Sequence, residues 1–186
     1  MRFKDFLQLN EMPNIEDNAG VLANEKEYWN YTVYRQIKNY TEKYEKTIDS
    51  VIYKFCLKNY GNTYGVVAYV KEKIVGFISV NIKYIKKEPP MSYPYVGWVA
   101  VNPEYRNKKI AENLYKIIID EFGGICSDDL ITTQAINFWE NVLFKKYNVY
   151  YASNNKDLEN YKKLELFDKK TLNDYDIILI ASKEKL

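Results

Sequence analysis

The stretch VAVNPEYRNKKIAENLYKII, Val99 to Ile118, decides the fold. Val99, Ala100 and Val101 end a β-rich run. Pro103 then stops it, because proline brings no N–H to a ladder. From Ile110 onward, Ile110, Ala111, Leu114, Ile117, Ile118 and Phe122 share one helical face, and Gly123-Gly124 close the helix. At the junction stand Arg106, Lys108 and Lys109. A helix start already carries partial positive charge, so cations there are unfavourable unless something negative joins them. The first helical N–H groups lack internal partners and, with the dipole, form an anion site commonly filled by phosphate. Basic side chains at its rim supply counter-charge. The junction predicts a bound diphosphate.

Upstream, YPYVGWVAV, Tyr93 to Val101, reads as one strand, with Gly97 marking a bulge or a close backbone approach. Before it, Tyr64–Val70 and Ile74–Ile85 read as a hairpin turned at KEK, with Ile74, Ile78, Val80, Ile82 and Tyr84 near one face. Residues 24–60 read as helix: Trp29, Val33, Ile37, Tyr40 and Tyr44, then Ile48, Val51, Ile52 and Phe55, keep a helical stripe, with a break near Thr47–Ser50. Downstream, a short strand is expected around Cys126 to Thr133, a helix over Thr133–Tyr147 and a strand over Asn148–Ser153. A turn or short helix is expected in Asn154–Asn173 and a last strand over Tyr175–Ser182. No internal repeat or low-complexity segment interrupts this order, which is that of a mixed α/β or α+β single domain.

Composition narrows the chemistry. The 186 residues are 47% hydrophobic and 28% charged, enough for a real core in one domain. The net charge of +2 neither demands nor excludes nucleic acid. The chain has no His, which removes His triads, His metal ligands and a His base together. Cys56 and Cys126 lie far apart without metal-ligand spacing, and read as small buried hydrophobes of a cytoplasmic protein. The 19 tyrosines are too many to be catalytic as a set and serve mainly as half-buried bodies with wet tips. No apolar run reaches bilayer length, and the charged start MRFKDFLQLNEMP is no secretory signal.

Three segments together, IVGFISV, VGWVAVNPEYRNKKIAENLYKIIIDEF and TTQAINFWENVLFKK, resemble the successive core segments of the Gcn5-related N-acetyltransferase (GNAT) superfamily. That family's signature is Arg or Gln, two residues, Gly, one residue, then Gly or Ala. Arg106 to Ala111 fill it, preceded by Val101-Asn102-Pro103 and followed by Ala135, Phe138 and Trp139. The resemblance covers about residues 64–182 and implies a central mixed, mostly antiparallel sheet with splayed central strands and flanking helices. It implies one domain over residues 1–186, with residues 1–24 an N-terminal extension or a rebuilt first element. It further implies acetyl-CoA, or another acyl-CoA, as cofactor and an amine as acceptor. Backbone amides over Arg106, Asn107, Lys108, Lys109, Ile110 and Ala111 would hold the pyrophosphate. Val99, Ala100 and Val101 would pair with the pantetheine arm and present an amide to the thioester carbonyl. Thr132 and Phe138 would contact the cofactor from its other side.

Two departures from the family pattern stand out. Lys109 occupies the central Gly position, where a Cβ suits helical backbone but crowds the path that Gly keeps open. Trp139 follows Phe138 where many members carry a tyrosine acid; Tyr147, about two turns on, is the nearest downstream phenol. The strand lacks the Glu that often serves as base, leaving Tyr93, Tyr95, Asp128 and Asp129 as alternatives. Tyr95 and Tyr147 are the catalytic candidates. The expected activity is transfer of acetyl from acetyl-CoA to a primary amine by direct attack in a ternary complex. One rival is a member that keeps the fold and has lost the chemistry. Another is a protein directed at nucleic acid, or an acyltransferase acting on a nucleic-acid-borne or protein amine. Lys83, Lys86, Lys87, Arg106, Lys108, Lys109, Lys145 and Lys146 would be its basic surface.

Overall fold

The computed structural model describes residues 40–58, 62–82, 93–128, 132–153, 162–163 and 177–185. Nine strands form one sheet in these residues: β1 (Tyr40–Ile48), β2 (Val51–Lys58), β3 (Thr63–Val70), β4 (Lys73–Asn81), β5 (Tyr95–Val101), β6 (Gly124–Cys126), β7 (Asn148–Ser153), β8 (Lys162–Lys163) and β9 (Ile177–Ser182). Their spatial order is β1-β2-β3-β4-β5-β6-β9-β7-β8. Every pairing is antiparallel except β5–β6, which is parallel and joined at one residue pair, Tyr95 with Cys126. The sheet is therefore mixed and splayed at its centre, as the family resemblance implies.

Residues 40–58 correct the helix expected there: they form the β1–β2 hairpin. The break near Thr47–Ser50 is a two-residue turn, with Asp49 at φ 48° and Ser50 at φ 63°. Two positive φ values match the twist that joins adjacent antiparallel strands. Lys71 (φ 47°) and Glu72 (φ 66°) turn the β3–β4 hairpin in the same way. Among the described residues β1 is an edge strand, its residues 41–47 all exposed, so its Glu and Lys residues are solvated side chains on a strand. The rest of the stripe, with Trp29, Val33 and Ile37, lies outside the described residues, as do residues 83–92.

Two further expectations shift. Ile74 does not share a face with Ile78 and Val80. Ala68 pairs with Gly76 and Tyr69 with Ile74, so Val75 is an extra residue in β4 and reverses the alternation. The short strand expected around Cys126 to Thr133 ends at Cys126 and starts directly after the first helix, at Gly124.

That helix, α1 (Ile110–Phe122), stops where expected, with Gly123 left-handed at φ 80° and its N–H bonded to Ile119 O. Its fully buried Leu114 and Ile118 pack over the sheet; each such burial stabilises by roughly 1.5–3 kcal/mol. Asn113 donates from Nδ2 to the Tyr53 hydroxyl at 3.1 Å and ties α1 to β2. The second helical stretch begins as α2 (Thr133–Phe138), widens into a π-helical segment (Trp139–Leu143) and ends in a last turn, α3 (Phe144–Lys146). Trp139 and Leu143, each 1% exposed, join the main core with α1. The other face of the sheet carries two smaller clusters. One is centred on Cys56, Val67 and Phe77, the other on Tyr95, Cys126, Tyr150, Ile178 and Ile180.

Candidate functional site

The opening in the sheet is built by a bulge. Ser79 pairs with Trp98, but Val80 pairs with Val96, so Gly97 is an extra residue in β5. In an antiparallel strand the N–H and C=O of one residue face the same neighbour, and successive residues alternate. Asn102 N–H bonds Val75 O at 2.9 Å, toward β4. Alternation back from Asn102 turns the N–H groups of Val101 and Val99 away from β4, toward the splay. The ladder to β6 has already ended at that point. Cys126 N–H bonds Pro94 O at 2.9 Å, and the lone pair of residues is Tyr95 with Cys126. Beyond it, β5 offers an edge whose donors and acceptors meet no strand among the described residues.

At the end of that edge, Asn102 starts a 3-10 turn, Pro103–Tyr105, its Oδ1 accepting from Glu104 N at 3.0 Å. Its Nδ2 is buried and has no partner among the described residues. Arg106 is extended at φ −64°, ψ 160°, and Asn107 (φ 60°) and Lys109 (φ 57°, ψ 13°) are left-handed, so the chain turns sharply just before the helix. Lys109 thus corrects the sequence reading: its backbone is left-handed, not helical, and it caps α1 without any side-chain hydrogen bond. Left-handed backbone costs an L-residue about 1–2 kcal/mol, which is why Gly suits this position. The first backbone bond of the helix runs from Asn113 N–H to Lys109 O at 3.0 Å, so the amides before it lack helical partners.

Arg106, Lys108 and Lys109 are exposed around this loop, and none lies in a salt bridge among the described residues. Lys108 Nζ rests 4.7 Å from the Tyr105 ring centre. Lys73, by contrast, is engaged, 3.1 Å from Glu104 Oε2 and over the same ring. The orphaned Asn102 donor, the helix-start amides before Asn113 and three cations that form no salt bridge among the described residues fit a diphosphate-bearing ligand. The unpaired β5 edge fits an amide-bearing arm such as pantetheine.

The other expected contacts fall as follows. Ile110 is 2% exposed, its side chain in the core, so only its backbone can serve a ligand; Ala111 is half-buried. Ala100 is half-buried with Trp98 in the Cys56–Phe77 cluster. Thr132 caps α2, its hydroxyl oxygen accepting from Ala135 N at 3.2 Å. Phe138 stacks at a tilt on Tyr115, ring centres 4.9 Å apart, against the main core.

The structure does not bring Tyr95 and Tyr147 together. Tyr95 is 4% exposed, in the cluster with Cys126 and Ile180. Tyr147 is half-buried against the main core, and burial pushes its phenol up, with Asp120 and Glu112 adding to the rise. Tyr93 is committed structurally, its hydroxyl 2.9 Å from Ser182 Oγ. Asp128 is exposed, and Asp129 lies outside the described residues. Trp139 shares a hydrogen bond with Tyr115, whose phenol is pushed up by complete burial. Of the basic surface, Lys145 and Lys146 sit on α3, where Lys146 pairs with Glu112 of α1; Lys83, Lys86 and Lys87 lie outside the described residues. Sequence reasoning passed over Asn102. An asparagine directly before Pro at the end of a buried strand was its visible signal.

Residues 25–143 match the model of the Acetyltransferase (GNAT) family. Among solved structures the chain is similar to an acetyltransferase of GNAT family from Staphylococcus aureus Mu50. Identity is 17%, over 67% of this chain and 70% of that one, with a TM-score of 0.42. It is similar to the ribosomal-protein-S18-alanine N-acetyltransferase from Escherichia coli at 12% identity, over 67% and 72% of the two chains, TM-score 0.39. It is also similar to PaiA N-acetyltransferase from Thermoplasma acidophilum, a complex with coenzyme A, at 15% identity, over 65% and 61%, TM-score 0.38. No curated protein sequence matches it.

Proposed function

Because the chain belongs to the GNAT acetyltransferase family, we propose that it is an acyl-CoA-dependent N-acyltransferase, moving acetyl from acetyl-CoA to a primary amine by direct attack in a ternary complex. The observation that carries this reading is the continuity of two features. The open β5 edge from Val99 to Val101 runs straight into the left-handed loop at Asn107–Lys109 and the start of α1. One extended ligand with an amide arm and a diphosphate suits both.

In this reading acetyl-CoA supplies an acyl group already activated as a thioester. The amides from Arg106 to Ala111, with the side chains of Arg106, Lys108 and Lys109, hold the diphosphate. The Val99 or Val101 N–H donates to the carbonyl oxygen as negative charge develops there, a type of contact worth roughly 2.7–4 kcal/mol in the transition state. Fixing both reactants removes much of the entropic barrier to attack. Tyr147, a phenol that keeps its proton well above neutral pH, is the proton donor retained for the leaving thiolate, and the proton shed by the attacking nitrogen passes through solvent to restore the phenol. Tyr95, packed beside Cys126 and Ile180, serves the fold rather than the reaction in this reading. Calorimetric titration with acetyl-CoA and with CoA tests the reading: micromolar binding of both supports it, and absence of binding overturns it.

A second reading is a family member that binds CoA without turnover. The burial of Trp139, where a tyrosine acid is frequent in the family, favours it. Thiol release from acetyl-CoA in a broad amine screen separates the two.

A further inference from the structure

We propose that Asp128 receives the acceptor's ammonium group at the closed end of the gap between β5 and β6, so that the acceptor is an aliphatic amine, charged at neutral pH. The inference rests on the acyltransferase reading and names the substrate class of that site.

Register places the residue. β5 and β6 run parallel and share one rung, Tyr95 with Cys126. Asp128 lies two residues beyond Cys126. Gly97 is an extra residue in β5, so two regular steps beyond Tyr95 lead to Trp98. Asp128 thus stands at the level of Trp98, on the wall opposite β5 and one strand step, about 3.3 Å along the axis, short of Val99. The backbone of that wall is held firmly. Ser127 N–H donates to Leu179 O at 2.8 Å, and Leu179 N–H donates to Ser127 Oγ at 2.9 Å. The Ser127 hydroxyl donates to the Asp128 carbonyl oxygen at 3.1 Å. Ser127 is buried and Asp128, the next residue, is exposed.

Charge gives the role. Arg106, Lys108 and Lys109 surround the open end of the gap, where β5 runs into α1, and Asp128 stands beside the rung that closes it. An anionic diphosphate suits the first end and a cation suits the second. The carboxylates of α1 and its approach are engaged elsewhere: Glu104 by Lys73, Glu112 by Lys146, Asp120 by Lys183 and Glu121 by the Tyr44 hydroxyl. Burial raises the Tyr115 phenol, and the charge of Asp128 adds to the rise, so the carboxylate is felt at the ring on which Phe138 stacks. An ionised carboxylate has about four acceptor sites. Asp128 can therefore serve an ammonium beside the interaction it already makes.

An alkylamine resembles the lysine side chain, which holds its proton to about pH 10.4. It arrives as an ammonium ion and must lose a proton before it can attack. Because Asp128 is exposed, water reaches the bound ammonium and takes that proton. The nitrogen lone pair then forms the C–N bond at the thioester carbon, and the nitrogen sheds a second proton to water. The C–S bond breaks, the thiolate takes the Tyr147 proton, and one of the two released protons restores the phenol. One proton is left over, as conversion of an ammonium and a thioester into an amide and a thiol requires. An amine that is neutral at pH 7 gains nothing from the carboxylate.

The test measures thiol release from acetyl-CoA by the full chain at pH 7 and low salt. One set of acceptors is charged at that pH (n-propylamine, ethanolamine, glycinamide-free diamines such as 1,4-diaminobutane); the other is neutral (aniline, 2,2,2-trifluoroethylamine). The wild-type protein should prefer the charged set. Asp128→Asn should raise KM for the charged set roughly three- to five-fold with kcat little changed, an effect that shrinks at high salt. It should leave the neutral set and calorimetric CoA affinity as they are, whereas a merely structural role would move both sets alike. Asp128→Glu should keep the preference, and with the wild-type comparison it decides the matter if Asp128→Asn folds poorly. Equal changes in both sets, a wild-type preference for neutral amines, or no turnover of any amine by a protein that binds CoA overturns the inference. Absence of CoA binding is the separate failure of the acyltransferase reading.

Discussion

Gly76 of β4 lies directly beneath Ile110 of α1: a Cβ on Gly76 would come within 2.6 Å of Ile110 Cγ2. Gly76 also pairs with Val101, the last residue of the open β5 edge. One missing side chain therefore sets how closely the start of the helix approaches the end of that edge, and with it the distance between the amide loop and the Val101 N–H.

Gly76→Ala should lift the N-terminal turn of α1. Ile110 and Leu114 are buried and cannot yield without repacking. Overpacking of this kind costs typically about 1–3 kcal/mol. A urea melt followed by circular dichroism should show the loss, and acetyl-CoA affinity should fall further than stability alone explains. An unchanged midpoint would mean that the helix slides without cost.

Lys109→Gly should act in two opposite directions. Relief of the left-handed backbone stabilises the fold by up to about 1 kcal/mol, read as a higher urea midpoint. Loss of the cation weakens acetyl-CoA binding several-fold at low salt, a difference that shrinks at high ionic strength. Arg106→Ala should show the same salt-dependent weakening without the gain in stability. If Lys109→Gly instead tightens acetyl-CoA at every salt concentration, the side chain is an obstruction and not a ligand.

Trp139→Tyr should not create an acid. Its side chain is 1% exposed and its indole N–H serves Tyr115, so a tyrosine there would point into the core. The expected outcome is a stability loss of roughly 2 kcal/mol from lost packing and a lost hydrogen bond, with no rise in thiol release from acetyl-CoA. Faster release would show that this position reaches the reacting atoms.

Alkali should unfold the protein through its tyrosines. Burial pushes Tyr40 and Tyr44 up to about 12 and raises Tyr53, Tyr69 and Tyr147 as well. The unfolded chain releases these protons near pH 10. Above that pH the folded state holds more protons than the unfolded one, so stability falls as pH rises. The contribution is complete below pH 10 and is lost on the way to about pH 12. Each affected tyrosine adds a slope of about 1.4 kcal/mol per pH unit. Tyr44, 39% exposed, contributes less because solvent screens it. Urea midpoints at pH 9 and pH 11 should differ markedly, and equal values would contradict the account.

From Tyr64 onward most of the fold was legible, because period-two alternation in the strands and the helical face of α1 agree with the burial that tertiary packing imposes. The β1–β2 hairpin was not. Tyr40, Tyr44, Ile48, Val51 and Phe55 repeat at helical spacing, β1 is rich in the helix formers Glu and Lys, and the turn at Asp49–Ser50 lacks the Asn-Gly signal. An exposed edge strand has no buried alternation to betray it. In the site, the anion loop was visible as cations at a helix start, but the handedness of Lys109 was not, since composition says nothing of φ. The role of Gly97 was only half visible. A bulge or a close approach could be expected, whereas its tight contact with Asn81 and Ser79 required the pairing of β4 with β5, although Ser79 and Asn81 do interrupt an apolar run on one face.

The single contact between Tyr95 and Cys126 also has a mechanical side. Five strands from β1 to β5 form one hydrogen-bonded ladder and β6 to β9 another, sharing one rung. Cohesion across that seam falls to α1, which packs on both ladders, and on the opposite face to the cluster that joins Tyr95 with Cys126, Tyr150, Ile178 and Ile180. Whatever occupies the gap along Val99–Val101 acts as a missing strand, stiffening the seam. Amide exchange in the two ladders should therefore run independently in the free protein and become coupled when the gap is filled.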